Sequence, residues 1–179
     1  MNTSPVWTVG EWSLSDDFGK VAQQWNAIRR LLGDAEEFVR RDPAVSGWSC
    51  GEQAGHLALV TNWVAHGIEE NLAHPERDAD GRWSEHTELI LREGDFPRGV
   101  AQSPPRVDPS GRPKGDFLSA LDDDERRWYG LQERADEIVA CPARFPHFAL
   151  GYMTSSEWVR FCALHSAHHL AVVRDITGL

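Results

Sequence analysis

Residues 154–178 read TSSEWVRFCALHSAHHLAVVRDITG. Thr154 and Glu157 form a T-x-x-E capping box, in which the hydroxyl takes the amide three residues on and the Glu reaches back to the cap amide. Gly178 sits where a helix ends in left-handed backbone. Between them Trp158, Cys162, His165, His169, Val172 and Ile176 recur at spacings of 4, 3, 4, 3 and 4. That is one apolar seam of an amphipathic helix over 154–177. Two of its six positions, His165 and His169, are imidazoles where Leu or Val belongs.

Three more seams lie upstream. Phe18, Val21, Trp25, Ile28, Leu32, Ala35 and Val39 alternate by 3 and 4, predicting a helix from about Ser15, its cap, to Arg41, with Pro43 beyond. Ser49 and Glu52 form a second capping box opening a helix over about 49–72, with Leu57, Val60, Val64 and Ile68 on one stripe and His56, Val60, Trp63 and Gly67 on another. Phe117, Leu121, Trp128, Leu131, Ala135 and Ile138 predict a helix over about 116–140, with Asp124 as its one mismatch and Cys141-Pro142 as its stop. Four helices of about 24 residues, each about 36 Å long, point to an all-α, antiparallel-type four-helix bundle. Strand signals are weak throughout. Residues 73–113 break the pattern with six of the ten prolines. This is a long irregular insert between the second and third main helices, with a short helix at 84–93. A crossover through the insert would make the topology something other than up-down-up-down.

The chain has 179 residues and a net charge of −10, so one domain over residues 1–179 is expected, with no nucleic-acid surface and no adhesion to anionic lipid. Three scattered cysteines fit neither a disulfide framework nor a zinc ribbon. No basic and apolar leader is visible in 1–12, and no run approaches a membrane span, so a cytoplasmic protein is expected.

The eight histidines carry the chemistry. An i, i+4 pair projects both rings from one helix face, about 6 Å apart at Cβ, which suits two ligands on one transition-metal ion. The competing reading is a pair of core histidines satisfied by buried hydrogen bonds. His168 offers an i, i+3 alternative from a neighbouring face. His56 is the best third ligand. Glu52, four residues before it, could serve as a fourth ligand or a base, though capping already accounts for it. His66, His74, His86 and His147 fall on exposed faces or loops and are assigned no role. Trp25, Trp128 and Trp158 read as core. Trp63 and Tyr152 could wall a pocket above the metal.

Two stretches also carry a family resemblance. WSCGEQAGHL (Trp48–Leu57) resembles the W-S-x-x-E-x-x-x-H-L signature of the DinB-like, or YfiT-like, superfamily. PHFALGYMTSSEWVRFCALHSAHHLAVVRDI (Pro146–Ile176) resembles its closing pattern of E-W followed by H-x-x-H-H. The resemblance does not visibly cover 73–113. It implies a four-helix bundle with a divalent metal near one end of the core, held by His56, His165 and His169. The Gln that often follows the last His in the family has no counterpart in Ala171–Arg174.

Three imidazoles accept zinc, nickel, iron, cobalt or copper. They leave coordination positions open, so metal-dependent hydrolysis of a small-molecule substrate is the first expectation. Metal activation of a low-molecular-weight thiol, as in thiol-dependent transferases and isomerases similar in fold, is the alternative. Non-catalytic binding of metal or a small ligand is the third. No catalytic residue is assigned. The insert is expected either to lid the site or to form a homodimer contact, and the acidic balance disfavours a strongly anionic substrate.

Overall fold

Helix boundaries follow the side chains that can satisfy free backbone amides. The computed structural model describes residues 13–94, 96–99 and 102–178, so the leader reading at 1–12 lies outside the described residues. Ser13, not Ser15, caps the first helix: its hydroxyl accepts the amide of Asp16 at 3.3 Å, and α1 runs Leu14–Gly33. The expected continuation to Arg41 breaks at Asp34. Its carboxylate takes the amides of Glu36 and Glu37 and starts a separate helix, α2 (Ala35–Val39). The seam is lost there: Val39 is 69% exposed, and Phe38 packs against the core in its place.

Both halves of the Ser49–Glu52 capping box are formed, and α3 runs Cys50–Ala73. A short helix, α4 (Thr87–Glu93), lies in the insert. The expected third helix is divided at Arg134 into α5 (Lys114–Glu133) and α6 (Ala135–Ala140). A hairpin that weak strand signals gave no reason to expect follows: β1 (Arg144–His147) pairs antiparallel with β2 (Gly151–Thr154). Gly151 adopts φ +74 at its turn, and an added Cβ would lie 2.5 Å from the Arg82 carbonyl, so only glycine fits. Both halves of the Thr154–Glu157 capping box open α7 (Ser155–Thr177), which ends on left-handed Gly178.

Directions follow from cross-helix pairs. α1 packs on α3, α5 and α7, and α3 packs on α5 and α7. Asp17 pairs with Arg160, and Gln24 donates to the Ala163 carbonyl, so α1 and α7 run parallel. Gln53 meets His169 while Asn71 meets Ser155, so α3 and α7 are antiparallel. Thr61 meets Asp124, and Glu69 meets Arg127, so α3 and α5 are parallel. The order is up-down-down-up. The uniformly antiparallel bundle is corrected at two packed pairs, α1–α7 and α3–α5, and the insert is the crossover that returns the chain along the length of α3. Trp128, Trp158, Phe117, Leu57 and Ile68 are fully buried between the four long helices.

The α3–α5 contact is close because Gly55 has no side chain. An added Cβ would sit 2.6 Å from the Phe117 ring. Gly55→Ala therefore overpacks a fully buried site, and it should cost about 1–3 kcal/mol and several degrees of melting temperature. A melt indistinguishable from wild type would reject this close approach.

Candidate metal centre

His56 lies two turns into α3, at a depth set by the capping box at Ser49. His165 and His169 project from successive turns of α7, which runs antiparallel to α3. The bundle thereby brings the three rings together. One nitrogen from each lies within 4.8 Å of the other two. Ring centroids are 5.2 Å apart for His56–His165, 4.8 Å for His56–His169 and 4.4 Å for His165–His169. The two Nε2 atoms of the α7 pair are 3.1 Å apart.

Hydrogen bonds choose which nitrogen each ring offers. His56 Nδ1 donates to the Val107 carbonyl at 2.7 Å, leaving the Nε2 lone pair free. His169 Nδ1 donates to Gln53 Oε1 at 2.5 Å. Gln53 Nε2 in turn donates to Ser46 Oγ at 2.9 Å, with the amide oxygen toward the histidine. His169 Nε2 is therefore a lone pair facing His165 Nε2. His165 Nδ1 is buried with no hydrogen-bond partner. These are the features a cation would use. Two Nε2 atoms 3.1 Å apart match ligands at about 2.1 Å from one ion once the proton between them is released. Outer hydrogen bonds to the far ring nitrogen are what metal-bound histidines ordinarily have. The residues present fit a divalent transition metal.

Burial keeps all three rings neutral, as ligation requires. It lowers the His56 pKa to about 4, against the pull of the Val107 carbonyl. His165 and His169 are held well below the usual imidazole range, first by burial and then by neighbouring histidines. An aromatic collar surrounds the trio and limits water access. Trp48 lies 4.9 Å from His56 and 6.2 Å from His169. Phe161 stacks on His165 at 4.9 Å and 19°. Phe96 from the insert meets His165 edge-on at 5.7 Å and lies tilted against His168 at 5.4 Å.

The remaining residues sort differently. His168 is half-buried, with its ring edge-on to His169 at 5.2 Å and 89°. Glu52 is occupied by capping and by Arg41 at 2.7 Å, and no carboxylate joins the three-histidine group among the described residues. His66, His74 and His86 are exposed at the side chain, as expected. His147 departs from that expectation. It is half-buried against Trp158 and Phe161, its Nδ1 accepts the amides of Ala149 and Leu150, and burial lowers its pKa to about 4. Trp25, Trp128 and Trp158 are core. Trp63 meets Phe145 and Trp158, and the Arg106 guanidinium lies over its ring at 5.0 Å. Tyr152 packs over Gly81 and pairs across the hairpin with Pro146.

Reading side chains alone misses Gln53 and Val107. Gln53 carried a visible signal, a polar residue that the structure leaves 2% exposed on α3. Val107 acts through its carbonyl, which no residue type announces.

No curated protein and no solved structure matches the chain. A family model described as the DinB superfamily matches residues 20–173, a span that holds both capping boxes and all three histidines. On that match, with the helical architecture around it, the chain belongs to the DinB superfamily.

Proposed function

We propose that this protein is an enzyme that binds one divalent transition metal through His56, His165 and His169 and acts on a small-molecule substrate, with hydrolysis as the first reaction class. One observation carries the reading: three neutral ring nitrogens from two helices lie within 4.8 Å of one another. Family membership supports it, since DinB-like proteins commonly bind metal. Zinc, nickel and iron all suit three imidazoles. When bound, such an ion supplies Lewis acidity, which lowers the pKa of water toward about 7 and polarises a substrate oxygen. His56 and His169 present their Nε2 atoms because Val107 and Gln53 hold the protons on Nδ1. Trp48, Phe161 and Phe96 keep the surroundings dry, which strengthens every charge interaction inside.

A second reading, transfer to a low-molecular-weight thiol, is favoured by the absence of a carboxylate from the group among the described residues. Hydrolysis benefits from a positioned base, whereas a metal lowers the pKa of a thiol without one. We expect the metal-loaded protein to turn over generic esters or amides without added thiol, and to lose that activity to a chelator. Turnover of an electrophile only when thiol is added selects transfer. No turnover in either assay, with metal bound, rejects the enzyme and leaves a binding protein.

A further inference from the structure

The insert meets His56 through a backbone carbonyl, and Arg112 braces the turn that carries it. Between Pro105 and Asp108 the chain turns tightly, with the Val107 amide bonded back to the Pro104 carbonyl at 3.0 Å. Four consecutive carbonyls are presented there. Arg112 takes three of them: Nε donates to Asp108 at 2.8 Å, and Nη2 donates to Pro105 at 2.9 Å and Arg106 at 3.0 Å. The fourth, Val107, accepts His56 Nδ1–H at 2.7 Å. The Val107 side chain is 5% exposed and anchors the turn in the core. The backbone continues to Arg112 through its own amide, bonded to the Pro109 carbonyl at 3.1 Å. Ser103 Oγ stands 3.5 Å from the same His56 nitrogen, too far to replace the carbonyl.

We propose that Arg112 is a positioning residue for His56: its guanidinium holds the 105–108 turn so that the Val107 carbonyl keeps the His56 proton on Nδ1 and presents Nε2 to the metal. The proposal rests on the metal reading only for its last clause. A planar fork with five N–H donors can span three carbonyls in fixed directions. A lysine ammonium is a point donor on a flexible stem and cannot. Without Arg112 the carbonyls of Pro105 and Arg106, both exposed residues, turn to water, and the turn loses its single shape.

Nitrogen-15 NMR of histidine-labelled, metal-free protein reads the tautomer directly, and zinc competition against a chelator reads affinity. Wild type should show His56 protonated on Nδ1. Arg112→Ala and Arg112→Lys should both show the His56 proton shared between its nitrogens, His169 unchanged, and zinc binding weakened by about tenfold. Gln53→Leu should do the reverse, moving His169 and leaving His56. Should the alanine variant fail to fold, the lysine variant reads the same signals. An unchanged His56 tautomer in a folded Arg112 variant overturns the proposal, and so does a change spread equally over His56 and His169. Wild type that takes up no zinc while its His56 tautomer still depends on Arg112 overturns the metal reading and leaves the positioning role standing.

Discussion

His165→Ala is expected to lose bound metal, and His165→Leu is expected both to lose metal and to make the metal-free protein more stable. The two variants together decide between the two readings of a histidine pair on a core seam. If His165 is a ligand, removing it takes away one of three protein contacts to the ion. A structural zinc site is worth about 10–16 kcal/mol, so one ligand accounts for about 3 kcal/mol or more, a loss of at least about a hundredfold in affinity. Elemental analysis of protein purified beside wild type should find about one metal per wild-type chain and little in either variant. Stability supplies the second arm. His165 Nδ1 is buried without a partner, and burial of an unsatisfied polar atom costs about 1–3 kcal/mol. Leucine fills the seam position between Cys162 and His169 and removes that cost, together with the 3.1 Å contact to His169 Nε2. Urea denaturation of chelator-treated proteins should therefore place His165→Leu above wild type by about 1 kcal/mol or more. A core histidine satisfied by hydrogen bonds predicts the opposite: equal metal content, and a leucine variant that is less stable.

The pair was legible in the sequence because α7 has local signals at both ends. The capping box at Thr154–Glu157 and the left-handed Gly178 set its length, and the seam between them leaves two imidazoles in plain contradiction to their neighbours. α3 was legible for the same reason. The start and break of α1 were not. Ser13 and Ser15 are equally good caps by residue type, and the run Asp34-Ala-Glu-Glu caps a new helix while continuing the period of the old one. The parallel course of α3 and α5 is a tertiary fact. It depends on where the insert returns the chain, and a Pro-rich segment carries no period from which that can be read. The outer shell of the site divides in the same way. Gln53 is a side chain and could have been weighed, whereas Val107 contributes a carbonyl whose direction is set by Arg112, five residues further on. His147 looked like a loop residue because the hairpin that buries it was not foreseen.

Asp124, the one mismatch on its seam, is expected to make the protein less stable as pH rises from about 4 to about 8, and Asp124→Asn is expected to remove that dependence. The residue is fully buried. Its Oδ2 contacts Thr61 Oγ1, and its Oδ1 has no partner. A threonine hydroxyl has a single hydrogen, and Thr61 Oγ1 also stands 2.9 Å from the Leu57 carbonyl, an acceptor only. A protonated carboxyl can donate to Thr61 Oγ1 and leave the Thr61 hydrogen to Leu57, whereas an ionised one has to take that hydrogen from Leu57. Burial is the leading cause and raises the pKa to about 8, with the Asp123 charge adding to it and the Thr61 and Asn62 contacts opposing it. The Arg127 charge also opposes the shift and does not outweigh burial. Cys162 on α7 is a thiol pushed up first by burial and then by the Asp124 charge, and Arg127 is bonded to Asp123 and Glu69. In the unfolded chain the carboxyl ionises near pH 3.8. Between that pH and about 8 the folded protein holds a proton the unfolded chain has released, so the Asp124 contribution to stability falls by about 1.4 kcal/mol per pH unit, while the buried histidines act in the opposite direction below the ordinary imidazole pKa. The sum is about 4 kcal/mol by pH 7, a large share of an ordinary domain's stability. Asparagine keeps the shape, donates to Thr61 Oγ1 and does not titrate. Urea denaturation at pH 4.5, 6 and 8 should show the two proteins close at the lowest pH and the variant ahead by several kcal/mol at the highest. Curves that stay parallel across that range would mean Asp124 is ionised in the fold, and that the Thr61 hydrogen points at it and not at Leu57.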